Sequence, residues 1–144
     1  MTSWRDGATP DAQNDMDGLL DAVLPLAQQL LEQHGEFFPF GARVSVGGEL
    51  VMLESYAGDE HPPSQVVLDQ LLEVTRAVAG DNRAVCFTSD VLVDGGDAVR
   101  AEIEHRDGHA LVVLLPYEKV GSGGGVVYGD LMAAPGVRRV WSQP

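Results

Sequence analysis

Cysteine is nearly absent from this 144-residue chain: Cys86 stands alone, so no internal disulfide forms and a cysteine-based zinc cluster is excluded. Lysine is as scarce. Lys119 is the single one, and eight arginines complete a total of nine bases against twenty-two acids, for a formal charge of −13. So acidic a surface repels nucleic acid and anionic membranes and favours a basic partner. No apolar run approaches the roughly 18 residues that a membrane helix requires; the longest, residues 110–116, is strand-sized. The opening stretch "MTSWRDGATPDAQND" carries acids and no apolar h-region, so it does not read as a secretory signal, and residues 1–14 are expected to be a disordered leader. A cytoplasmic protein is the expectation, with neither membrane nor nucleic acid among its partners.

What is present suits one globular domain. Hydrophobic residues at 44% and charged residues at 22% rule against a disordered chain, and the length allows one core rather than two. Apolar residues at Met16, Leu19, Leu20, Val23, Leu24, Ala27, Leu30 and Leu31 form a helical stripe over residues 15–34. Pro25 predicts a kink or a firm part starting near Leu24, and Gly35 predicts the stop. Two strands, 40–46 and 49–56, flank a Gly47-Gly48 turn. Ser64 is the expected N-cap of a second helix that ends near Ala79, with Gly80 beyond it. Strands follow at 83–93, 98–106 and 109–120. After the flexible "GSGGG" (121–125), short strands are expected at 126–128 and 137–141. The order αββαβββ predicts an α+β domain over residues 15–120, with a mostly antiparallel sheet of about five strands and both helices on one face. Residues 121–144 are expected to be a connector and a C-terminal segment that packs on the domain.

Register adds a spatial expectation. In "AVRAEIEHR" (98–106), Val99, Ala101, Ile103 and His105 alternate with Arg100, Glu102, Glu104 and Arg106. Reading Asp107-Gly108 as a two-residue loop sets Glu104 beside Leu111, Glu102 beside Val113 and Arg100 beside Leu115. The outer face then mixes those charges with Leu111, Val113 and Leu115, and Cys86, Thr88 and Asp90 join it. An apolar stripe rimmed by charge is the mark of a contact surface, whether for a second copy, for a partner or for the tail.

Candidate chemistry is thin. His34 with Glu36 has the types of a base and its orienter, and Phe38 and Tyr56 supply walls for a pocket. Yet an imidazole in a last helical turn also suits the helix dipole, and "HGEFFPFGARV" (34–44) reads first as a helix-to-strand junction. His105 and His109 are four apart across a hairpin, on opposite faces in this register, so no metal site is expected. Cys86 lies mid-strand among acids and reads as a structural thiol. Lys119 precedes the glycines around Ser122, which fits neither a P-loop nor a nucleophile elbow. Glu102 and Glu104, about 7 Å apart on one strand face, have a spacing common on solvated strands. "GVRRVW" is too small a basic patch for nucleic acid; docking on the protein's own acids or a twin's, with Trp141 as anchor, is its reading.

"QHGEFFPFGARV", "DEHPPS" and "DAVRAEIEHRDGHALVVLLPY" together resemble a family of small actinobacterial α+β proteins over residues 20–117. The resemblance implies a single cytoplasmic α+β domain and carries no activity, cofactor or site residue with it. Two function classes follow. The first is a non-catalytic acidic protein that binds a protein partner or self-associates through the outer sheet face, using Arg100, Glu102, Glu104, Leu111, Val113, Leu115 and Trp141. The second is a small-ligand-binding protein or enzyme with a pocket near His34, Glu36, Phe38 and Tyr56. No catalytic residue, metal or cofactor is assigned to either.

Overall fold

A computed structural model of the chain describes residues 9–37, 39–53, 64–93, 95–120 and 125–141. The first helix, α1 (Pro10–His34), starts ahead of the apolar stripe, so the last residues of the expected leader are helical. Thr9 explains the start: its hydroxyl accepts the Ala12 amide at 3.1 Å, and Pro10 sits where a missing N–H costs nothing. The helix continues through Pro25 and ends at Gly35, whose left-handed backbone returns its N–H to the Leu31 carbonyl at 2.8 Å.

Among the described residues, seven antiparallel strands follow rather than about five: β1 (Phe40–Ser45), β2 (Leu50–Leu53), β3 (Asn82–Val93), β4 (Gly96–His105), β5 (Ala110–Val120), β6 (Gly125–Tyr128) and β7 (Met132–Pro135). The second helix, α2 (Ser64–Ala77), is followed by one 3-10 turn, Ala79–Asp81. The spatial order is β2-β1-β3-β4-β5-β6, with β7 pairing the other half of β5. The late tail strand expected at 137–141 is instead an irregular segment, and β7 lies upstream of it. The α+β class and the antiparallel sheet stand.

The two helices lie on opposite faces, which corrects the one-face expectation. On β3, Ala84 and Cys86 pack with Met16, Leu19 and Val23 of α1, while Val85 and Phe87 pack with Val67 and Leu71 of α2. Successive strand residues point to opposite sides. A run apolar at every position, Ala84 to Phe87, is therefore a strand buried on both faces.

The β4–β5 hairpin differs from the expected one by a single residue. The His105 amide donates to the His109 carbonyl at 2.8 Å, and the Gly108 amide donates to the His105 carbonyl at 3.0 Å, so the loop holds Arg106, Asp107 and Gly108. Gly108, at φ 111°, takes the left-handed position that closes a three-residue loop. Ile103 then pairs Leu111, Ala101 pairs Val113 and Val99 pairs Leu115. A one-residue slip exchanges the faces of a whole strand. Leu111, Val113 and Leu115 are accordingly buried in the α1 core with Ile103, not displayed outside it. The β3–β4 pairing shifts likewise, with Ala84 opposite His105, so Cys86, Thr88 and Asp90 face α1.

Residues 111–116 are apolar in both phases and cannot choose between registers. Tyr117 and Glu118 can. The observed register sends Tyr117 inward, where its hydroxyl donates to Asp90 at 2.6 Å, and leaves Glu118 in solvent. The slipped register would turn Glu118 toward the core, and a buried unpaired carboxylate costs several kcal/mol, roughly.

Candidate functional site

Of the expected interface residues, Arg100, Glu102, Glu104 and Trp141 meet on the outer face of β3–β4–β5, and the chain's own tail occupies part of it. Gly136 turns the tail inward: its amide donates to the Ala110 carbonyl at 2.9 Å, and a Cβ there would stand 2.8 Å from the Leu111 nitrogen. Only glycine fits that approach. Three consecutive amides then converge on one side chain. Arg139 and Val140 donate to Glu104 Oε1 at 2.7 and 2.8 Å, and Trp141 donates to Oε2 at 2.8 Å. Such a run of N–H groups is a ready anion cradle, and buried Glu104 fills it. The strap is held at its sides as well. Arg76 Nε donates to the Arg139 carbonyl at 2.7 Å, and Arg138 donates to the Trp141 carbonyl at 2.8 Å. Val140 and Trp141 pack into the α2-side core with Val67, Leu71, Val85 and Phe87.

Glu102 sits between two cations. Arg100 donates to its Oε2 at 2.9 Å, and Arg139 Nε lies 2.7 Å from Oε1, off the hydrogen-bond axis and so a charge pair only. Of the two arginines of "GVRRVW", Arg139 thus docks on the protein's own Glu102, while Arg138 bonds the Trp141 carbonyl. Glu102, Glu104 and Trp141 are engaged within the chain, and Leu111, Val113 and Leu115 are core.

The alternate row of β5 takes their place. Arg100 pairs Leu114, Glu102 pairs Val112 and Ala98 pairs Pro116, so Val112, Leu114 and Pro116 face outward, half-buried. Met132 of β7 lies beside Leu114, and Val127 of β6 lies beside Glu118. These two edge residues are 50% and 55% exposed, so the apolar surface widens toward the sheet edge. The sequence pattern missed this row because it put the other one there.

The second candidate, at the C-terminal end of α1, is only partly described. His34 is exposed in the last turn of α1 and Glu36 is exposed just after it; Phe38 and Tyr56 lie outside the described residues. Phe37 packs against the core, its ring centroid 5.6 Å from that of Phe40, as a junction requires. The charge of Glu36 does reach an ionisable group on the sheet, Asp90. Burial raises the Asp90 carboxyl above its ordinary value; the Tyr117 hydrogen bond opposes this, and the charges of Asp97 and Glu36 add to it. Burial, followed by the bond to Asp90, raises the Tyr117 hydroxyl in turn. On β6, Tyr128 is pushed up to about 12 by burial and by Glu32, whose Oε2 lies 3.3 Å from its hydroxyl.

The remaining candidates are structural. Asp15 of α1 accepts from Arg83 at 2.7 Å through Oδ1, and its Oδ2 lies 2.9 Å from His105 Nε2. His105 Nδ1 lies 3.2 Å from the Asp107 amide nitrogen. Both ring nitrogens are therefore engaged, and none is left to move a substrate proton. His105 and His109 both approach Asp107 Oδ1, at 3.3 and 3.0 Å, which corrects the expectation of opposite faces. Among the described residues, no group of three or more His, Cys, Asp or Glu side chains is arranged to hold a metal ion. Cys86 is fully buried, and burial pushes its thiol up to about 12; the Thr88 contact opposes this and the charge of Glu102 adds to it. It is an unreactive thiol at neutral pH. No helix among the described residues is long and apolar enough to cross a membrane.

Comparison with known proteins finds no matching family model, no matching curated protein and no matching solved structure. The fold itself defines the class, an α+β domain with a seven-stranded antiparallel sheet between two helices.

Proposed function

We propose that this chain is a non-catalytic binding protein of the cytoplasm, whose outer sheet face takes a basic protein partner. One observation carries the reading. Val112, Leu114 and Pro116 form an apolar row on a sheet face, continued by Met132 at the edge. Interfaces are built on such rows, with polar groups around an apolar centre. The formal charge of −13 favours a partner with a basic rim over a second copy, since two such chains repel. Self-association through the same face is the second outcome of the test.

A photo-crosslinking residue at Met132, expressed in the native host, tests the reading. A single discrete adduct is expected, absent when Leu114→Arg is added and absent from a control crosslinker at Asp69 on α2. An adduct of twice the chain mass would assign the face to a second copy. Labelling at Met132 no stronger or more selective than at Asp69 would retire the face as a docking surface.

The alternative, a small-ligand-binding or catalytic role near His34 and Glu36, is supported by the raised Asp90 carboxyl close to Glu36 and Tyr117. Small organic amines suit that acid-rich end. Amide shifts centred on Glu36, Asp90 and Tyr117 during an amine titration would favour it; shifts spread evenly over the acidic surface would end it.

A further inference from the structure

A cavity of about 410 Å³ opens on the α2 side of the sheet, between the last turns of α2 and the β1–β2 hairpin. Its volume lies in the range of small-molecule sites, roughly 300–1,000 Å³. Leu53, Val74 and Val78 give it apolar walls, and Val74 and Val78 are 60% and 41% exposed because they line open space. Arg43, in the middle of β1, supplies the polar floor. Its neighbours across the sheet are Val51 and Val85, so the half-buried guanidinium stands on an apolar base.

The hydrogen bonds of Arg43 leave it poised. Nη1 donates to Asn82 Oδ1 at 2.9 Å. Asn82 is buried and its amide donates to the Val78 carbonyl at 3.3 Å, which fixes the oxygen toward Arg43. A guanidinium has five N–H donors, and this bond uses one. Arg83, Arg100 and Arg139 each pair with a carboxylate; Arg43 pairs with none among the described residues. A half-buried arginine with no carboxylate partner among the described residues invites an anion from outside. Asp81 also lines the cavity, and its charge disfavours a doubly charged ligand such as a phosphate monoester. Thr75 adds no donor, because its hydroxyl is committed to the Leu71 carbonyl at 2.6 Å.

We propose that this cavity binds a small organic acid with one carboxylate and a short apolar body. The carboxylate takes the Arg43 donors that no described residue occupies, and the apolar part lies against Leu53, Val74 and Val78. The site is separate from the β5 outer row, so the two readings stand or fall independently.

Titration of the full chain with octanoate, octanol and octyl phosphate, followed by amide chemical shifts, tests it. Octanoate is expected to give saturable shifts at Arg43, Leu53, Val74 and Asn82, and to bind about tenfold or more tightly than either comparison compound, as a charge-assisted pair implies. Arg43→Gln is expected to bring octanoate down to the octanol level while leaving octanol unchanged. Val78→Trp, at an exposed turn position between α2 and the 3-10 turn, is expected to abolish both. Octanoate shifts that do not saturate, that lie elsewhere, or that survive both substitutions would overturn the proposal; so would octyl phosphate binding as tightly as octanoate.

Discussion

Strand β5 carries two apolar rows with opposite fates. Leu111, Val113, Leu115 and Tyr117 are sealed beneath α1, whereas Val112, Leu114 and Pro116 stand half-open beside Met132 and Val127. Composition does not separate them, since each row has leucine and valine. Their neighbours do: the inner row meets a helix whose stripe is complementary, and the outer row, among the described residues, meets the short edge strand β7 and stays half-buried. The lesson is that a surface can be as greasy as a core where covering elements stop short, and that such a remainder is where binding is to be sought.

The contrast breaks most visibly under truncation. Leu111→Ala or Leu115→Ala is expected to cost about 2–5 kcal/mol, the range for deleting a buried leucine, whereas Leu114→Ala should cost under about 1.5 kcal/mol at its half-exposed position. Urea denaturation of the three variants measures the gap; equal losses would mean the rows are not distinct. Next in size is the strap. Glu104→Ala leaves the amides of Arg139, Val140 and Trp141 without their acceptor, and a loss of about 2–3 kcal/mol is expected if the tail stays down. Should it lift instead, Trp141 fluorescence, read in a Trp4→Phe background, would shift to the red and the outer row would lengthen. An unshifted spectrum with unchanged stability would show that Glu104 does not hold the tail. Smaller is Gly108→Ala, expected to cost about 1 kcal/mol because φ of 111° suits glycine alone. A neutral result would contradict the three-residue loop that sets the rows.

Smallest is the response to pH, in which two aspartates oppose each other. Burial works to raise Asp107, but hydrogen bonds from the His109 side chain and amide, with the nearby imidazoles, outweigh it and hold the carboxyl below its ordinary value. The unfolded chain then binds more protons, so the stability from Asp107 is complete above the unfolded value and disappears as pH falls through the folded one. Asp90 is raised, so the native state holds its proton longer, and stability falls as pH rises from the ordinary aspartate value through the raised one. Asp107→Asn should flatten the acid limb of the stability curve, and Asp90→Asn should remove the decline just above it. Chemical denaturation across this range checks both; a limb that keeps its slope in Asp107→Asn would assign it to other acids.

Much of the architecture was legible in the residues. The stripe from Met16 to Leu31 announced α1, and the alternation from Val99 to Arg106 announced β4 with its inward face. The phase of β5 was not legible from its own pattern, because residues 111–116 are apolar throughout and Asp107-Gly108 suits loops of two or three residues. Only the tyrosine and glutamate at 117 and 118 hold the information, and using it requires knowing that Asp90 waits inside. The placement of α2 was readable in principle from the unbroken apolar run at Ala84–Phe87, a signature of burial on both sides. β7 gave no signal: Met132 to Pro135 is short, proline-ended and exposed throughout. Of the outer-face site, the acids and Trp141 were apparent as charges and an anchor, but three amides meeting on Glu104 is a tertiary fact. Arg43 was hidden for a plainer reason, since a lone arginine in a strand has no motif around it.

Cysteine scanning from residue 111 to 116, in a Cys86→Ala background with a small thiol reagent, tests the two rows most directly. Fast labelling at 112, 114 and 116 alternating with protection at 111, 113 and 115 is the expected outcome. Labelling in the opposite phase would return Leu111, Val113 and Leu115 to the surface and remove the basis for a docking face built on Leu114.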